Sequence, residues 1–227
     1  MNDKDILSLA KQITDCYSIN KKTEKPFNLI IYDVGPKLKH NLVKNNSEKW
    51  IGAKLIEEEK YENIKEFMQK DLAKIINNFN NNEKAIDGNL TLNSDCYISS
   101  GIESFYNFGE ILKSENIIYL TGDSENEIFE LNQNQIYIIG GLVDRNKLKS
   151  ITYNKAKEIG ISHARLPIGD FLNLKTSKIL ATNHVFGILS YFVNKKNDWK
   201  ESFTSIIPKR KIEDEKDDDE NFNDQKI

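Results

Sequence analysis

Two short apolar runs in the second half of the chain constrain the fold most. NIIYLT (116–121) and IYIIG (136–140) are too short for free-standing buried helices, and they are rich in β-branched and aromatic residues. Apolar runs of this kind suit strands covered on both faces, as central parallel strands are, and ISHARLPI (161–168) reads as a third strand, stopped by Pro167. Helical patterns stand beside them: residues 147–159, ending at Gly160 as a C-cap, then SKILATNHVFGILSYFV (177–193), then DWKESFTSII (198–207) with Asp198 as N-cap. In the first half, KDILSLAKQITDCYSI (4–19) places Ile6, Leu9, Ala10, Ile13, Cys16 and Tyr17 on one helical face. FNLIIYD (27–33) reads as a strand, 37–45 as a short helix, WIGAKLI (50–56) as a strand, and Glu57 to about Phe79 as a long charged helix. Strands alternating with helices predict an α/β fold, a mostly parallel sheet flanked by helices.

Charge divides the chain. Residues 213–227 hold eight acids and two lysines, a local charge of −6; against the total of −3 this leaves +3 on residues 1–212. The tail has too little apolar surface to offset its ordering entropy, so residues 1–212 are expected to form the domain and 213–227 an acidic disordered tail. A polar, asparagine-rich insertion is expected around 77–95. Lysine is the default cation, and the only arginines are Arg145, Arg165 and Arg210. The clusters NKKTEK (20–25) and PKRK (208–211) are ordinary solvated surface on charge alone, with nucleic-acid contact the less common alternative. Cys16 and Cys96 form no CxxC, and His40, His163 and His184 have no metal-ligand spacing, so no metal site is expected. No run has transmembrane length and the start MNDKDILSL has no signal-peptide character, which leads to the expectation of a soluble protein of the nucleus or cytoplasm.

Ligands of open parallel sheets bind beyond the carboxyl ends of the strands. Three such ends carry unusual residues, LTGDSEN (120–126), GGLVDRN (140–146) and RLPIGD (165–170), and together they predict a pocket. The Gly140-Gly141 pair lacks the spacing of a dinucleotide or triphosphate loop. Asp144 could serve as a general base, but spacing alone favours a cap for the following helix or a partner for Arg145.

Read in order, IIYLTGDSEN, YIIGGLVDRNKLK, NKAKEIGISHARLPI, ILATNHVFGIL and DWKESFTSIIPKRK resemble the tRNA (guanine-9-N1)-methyltransferase family, a branch of the SPOUT knotted methyltransferases. LAKQITDCYSINKKTEKP and KLKHNLVKNN are similar to it as well, so that the likeness covers roughly residues 6–46 and 116–211. The resemblance implies a C-terminal trefoil knot and S-adenosyl-L-methionine held by Leu120, Thr121, Gly140, Gly141, Asp144, Arg145, Asn146, Lys147, Leu166, Thr182, Asn183 and His184. It implies that Asp144 is the general base for guanine N1, that tRNA is the partner, and that the protein is a monomer. Gln12, Lys21, Lys22, Lys25, Arg145, Arg165, Lys209, Arg210 and Lys211 would contact the RNA. Methylation of adenine N1 at the same position and a non-catalytic tRNA-binding scaffold are the alternative readings. The chain departs from the family in starting at the domain itself, without a long basic extension, and in having Gly122 and Gly187 at positions where other residues are usual.

Overall fold

The computed structural model describes residues 1–58, 64–67, 70, 114–143, 148–175, 179–195 and 197–213. The chain opens with helix α1 (Asp3–Asn20), started by a reciprocal cap in which Asn2 Oδ1 accepts from Asp5 N at 3.0 Å and Asp5 Oδ2 accepts from Asn2 N at 3.2 Å. Of the face read from the sequence, Leu9, Ala10, Ile13, Cys16 and Tyr17 are buried, with Asn20 added at its end, and Ile6 in the first turns is only partly buried. Strand β1 (Leu29–Val34), helix α2 (Pro36–Lys44), strand β2 (Ala53–Glu57) and a single turn α3 (Ile64–Phe67) follow. Most of the long charged helix expected from Glu57, the polar insertion around 77–95 and residues 214–227 of the acidic tail lie outside the described residues.

The second half runs β3 (Ile117–Leu120), β4 (Ile136–Ile139), α4 (Ile151–Ile159), β5 (Ser162–Ala164), α5 (Ile168–Phe171), α6 (Thr182–Asn194) and α7 (Trp199–Ile206). The short α5 was not expected; each of the others begins and ends within five residues of its expected limits. Gly160 takes φ 68° to end α4, and Asp198 caps α7 by accepting from Glu201 N at 2.9 Å. β5 is shorter than the expected 161–168 because the chain leaves the ladder at Arg165, which bridges to Glu127 instead. Pro167, with no N–H to give, keeps it from returning.

Among the described residues all strand pairs are parallel, as expected, but they fall into two sheets: β1–β2, and β4–β3–β5 with β3 in the centre. Among the described residues the sheets are joined by side chains. Ile30 and Tyr32 of β1 and Ile136 and Ile138 of β4 pack around buried Ile56, Phe67 and Ile117. α1 covers the first sheet with Leu9, Ala10 and Ile13 against Ile31, Val34 and Leu42. α6 and α7 cover the second with Ile188, Leu189, Phe192, Trp199 and Phe203. Phe203 is fully buried, a contribution of ~2–3 kcal/mol. Trp199 stacks on Phe192 at 4.0 Å and donates its indole N–H to Phe129 O at 2.8 Å, so its polar atom is satisfied.

Gly187 is explained by this packing. A Cβ there would lie 3.3 Å from Ile206 Cγ2 and 3.5 Å from Ile19 Cδ1, so the glycine lets α7 and α1 both close on α6. No helix of the described residues is long and apolar enough to cross a membrane.

Candidate functional site at the carboxyl edge of the second sheet

Strand register assembles the site. Leu120 pairs with both Ile139 and Ala164, so the exits of β3, β4 and β5 leave the sheet side by side. Thr121 N extends the ladder by donating to Ala164 O at 2.9 Å. The Thr121 side chain is buried, and its hydroxyl accepts from Thr152 Oγ1 of α4 at 2.8 Å. Gly140 follows directly on β4. A Cβ at Gly140 would lie 2.8 Å from Thr152 Cγ2, so glycine is needed here for the close approach of α4 rather than for backbone freedom. Leu166 is buried in the core beneath, with Leu120 and Ala164.

The amino end of α6 closes the other side. Thr182 Oγ1 donates to Gly140 O at 3.0 Å, and Thr182 N donates to Gln12 Oε1 at 3.0 Å. Asn183 Nδ2 donates to Asp15 Oδ2 at 3.1 Å. Helix α1 therefore fixes the start of α6, which in turn fixes the exit of β4. Two buried polar atoms here have no partner among the described residues, Asn183 Oδ1 and His184 Nδ1. Burial holds His184 below the ordinary histidine range; Lys211 lowers it further and Asp15 opposes both. Lys211 is partly buried, its ammonium 3.4 Å from Ile179 O, while Lys209 and Arg210 are exposed on the same turn.

The remaining expected residues divide clearly. Asp144, Arg145, Asn146 and Lys147 lie outside the described residues. The helix expected from 147 begins at Ile151, with Ser150 at its N-cap position and no side-chain cap hydrogen bond there. Arg165 is held in place: Nε donates to Glu127 Oε1 at 2.8 Å and Nη1 to Ser124 O at 3.1 Å. Gln12 contributes to the protein's own framework through Thr182. Lys21, Lys22 and Lys25 are exposed on the turn after α1. Among the described residues no group of three His, Cys, Asp or Glu side chains is placed to hold a metal.

A family model described as tRNA (guanine(9)-N(1))-methyltransferase TRM10/TRM10A matches residues 1–212. The chain belongs to this family. It is 37% identical over 208 residues to tRNA methyltransferase 10 homolog A of Xenopus tropicalis, covering 92% of this chain and 48% of that protein. To the tRNA (guanine(9)-N1)-methyltransferase of Candida albicans it is 32% identical over 213 residues, covering 93% and 60%. The chain thus spans about half the length of the curated relatives it matches. Its fold matches the crystal structure of a full-length spTrm10–SAH complex with a TM-score of 0.63 at 29% identity, over 92% of this chain and 88% of that one.

Within this TRM10-family fold, sequence reasoning found the three strand exits and the Thr182–His184 turn, and it missed what holds them. Thr152 and Asp15 make direct contacts to Thr121 and Asn183. Neither carries a motif, and Asp15 lies off the apolar face that the spacing of α1 defines.

Proposed function

We propose that this chain catalyses N1-methylation of guanine at position 9 of tRNA with S-adenosyl-L-methionine, acting as a monomer of the nucleus or cytoplasm with a SPOUT trefoil knot at the C-terminal end of its sheet. The observation that carries the reading is the junction of Thr121, Gly140 and Thr182 at one sheet edge, in a chain whose family model spans residues 1–212.

The residues present suit the cofactor. Gly141 is exposed, and a Cβ there would meet only Leu9, at 3.8 Å; over Gly122 there is open space. The unpartnered Asn183 Oδ1 and His184 Nδ1 are hydrogen-bonding groups in need of a partner. Leu120, Thr121, Gly140, Gly141, Thr182, Asn183 and His184 would hold the cofactor, with Asp144–Lys147 and Leu166 completing the site. When bound, S-adenosylmethionine supplies an electrophilic sulfonium methyl whose transfer depends chiefly on alignment with the attacking nitrogen.

Guanine N1 carries a proton and is a poor nucleophile until it is lost. Asp144, in the GGLVDRN segment that follows β4 in the sequence, is the carboxylate proposed to accept that proton. The target base is stacked within tRNA, so it has to be unstacked and turned into the site. Lys21, Lys22, Lys25, Lys209, Arg210 and Lys211 would hold the phosphate backbone on either side, and binding should weaken with salt.

The test is incubation with unmodified tRNAs carrying G9 or A9, labelled S-adenosylmethionine, and mapping of reverse-transcription stops. We expect label at G9, and a fall in rate of about 10²–10⁴-fold in Asp144→Asn, the usual contribution of a positioned base. Methylation confined to A9 and indifferent to Asp144→Asn would replace this reading with the adenine one. tRNA binding without methylation would leave a scaffold. Light scattering at dimer mass would overturn the monomer.

A further inference from the structure

The basic turn after α1 is locked by two asparagine carboxamides. Asn20, buried at 4% exposure, donates Nδ2 to Phe27 O at 2.7 Å and accepts Phe27 N at Oδ1, also at 2.7 Å. Asn194, on the last turn of α6, treats Lys25 in the same way. Its Oδ1 accepts Lys25 N at 2.8 Å, and its Nδ2 donates to Lys25 O at 3.3 Å and to Ser190 O at 2.8 Å. Within the turn, Thr23 Oγ1 donates to Asn20 O at 2.8 Å, and Lys22 N donates to Ile19 O at 3.0 Å. Phe27 sets its ring edge-on to Phe186 at 5.9 Å.

Each carboxamide satisfies both the N–H and the C=O of a single residue, which requires a donor and an acceptor on one planar group. Among side chains of this length only asparagine has both; aspartate could accept but not donate. The chain between the clamps is therefore a closed hook that points Lys21, Lys22 and Lys25 outward, all exposed. The second clamp also sets Lys195, the exposed residue after Asn194, beside the hook.

We propose that Asn20 and Asn194 are positioning residues for tRNA binding: they hold the hook in one conformation, so that Lys21, Lys22, Lys25 and Lys195 meet a phosphate backbone at fixed spacing. The proposal rests on the tRNA reading of the preceding section and names part of its binding surface. Its physical basis is preorganisation. Lysine side chains lose freedom when they bind, and a backbone already fixed by four hydrogen bonds does not add its own ordering to that loss. A surface lysine cluster needs no such clamps to remain soluble.

Binding of an unmodified tRNA transcript to the full chain, measured over a salt series, tests this with four proteins: the wild type, the triple variant K21Q/K22Q/K25Q, Asn194→Ala, and the combination. The triple variant should bind at least about tenfold more weakly and reduce the slope of log Kd against log salt by about two, near the value for loss of two to three phosphate contacts. Asn194→Ala, with every lysine retained, should lose most of the same affinity and slope. It should raise KM for tRNA with kcat at saturating tRNA retained, and add to the triple variant no more than the one contact of Lys195, which that variant keeps. Asn194→Ser, assayed in the cold, replaces it if the alanine variant melts at the assay temperature.

Wild-type affinity in Asn194→Ala beside a weak triple variant would overturn the positioning role, and so would fully additive losses. An unchanged salt slope in the triple variant would show that the hook does not face the nucleic acid. A wild-type chain that binds no tRNA would sink the methyltransferase reading itself, and the proposal with it.

Discussion

Alanine at Gly140 would put a methyl carbon 2.8 Å from Thr152 Cγ2, well inside carbon–carbon contact distance. The backbone does not resist the substitution, since Gly140 is not among the residues with left-handed φ. The cost falls on Thr152. Its hydroxyl is bonded to buried Thr121 at 2.8 Å, so rotating the methyl away breaks that bond, a loss of ~1 kcal/mol. Moving α4 instead strains the packing by ~1–3 kcal/mol. The expected destabilisation is ~2 kcal/mol, and at ~2–4 °C per kcal/mol for a domain of this size Tm should fall by ~4–8 °C. Thr152→Ser removes Cγ2 and keeps the hydroxyl, so the double variant should recover most of the loss, with a coupling of ~1–2 kcal/mol. Urea denaturation of the four proteins, followed by circular dichroism, measures the cycle. A Gly140→Ala protein within ~0.5 kcal/mol of wild type, or a double variant without recovery, would refute the argument that glycine is there for α4.

Two further expectations concern titratable groups, one half-buried and one buried. The fold holds His184 below the ordinary histidine value of 6.5, so the unfolded chain takes up the proton first; the stability contributed by neutral His184 is complete above pH 6.5 and is lost as pH falls below it. The difference in denaturation midpoint between wild type and His184→Gln should therefore change between pH 7.5 and 5.5, and a difference independent of pH would contradict the burial described. Burial, with Asp15 adding to it, pushes the Cys16 thiol up to about 12. In a Cys96→Ser background, iodoacetamide at pH 8 should leave the native protein unlabelled and modify it only on unfolding; rapid native labelling would show that α1 does not cover this thiol.

Much of the fold could be read from periodicity because single helices and strands are local objects. The apolar face of α1 required only the spacing of Leu9, Ala10, Ile13, Cys16 and Tyr17, and the end of α4 only a glycine able to take φ 68°. The strand exits were legible for the same reason: apolar runs in NIIYLT and IYIIG stop at polar or glycine residues. The division into two sheets was not, because strand pairing is decided by partners distant in sequence.

The clamps were hidden in another way. In a chain this rich in asparagine, Asn20 and Asn194 do not stand out from the solvated ones, and 174 positions separate them. The sequence by itself determined the order of the main strands and helices other than α5, the glycine and threonine at the strand exits, and a family resemblance carried by GGLVDRN and its neighbouring blocks. Only the tertiary structure decided that Thr152 requires Gly140 to be bare, that Gln12 supports Thr182 rather than facing outward, and that α6 reaches back to fasten the turn that follows α1. Hydrogen bonds and van der Waals exclusion act over a few ångströms, and which groups come within that range is set by packing rather than by position along the chain.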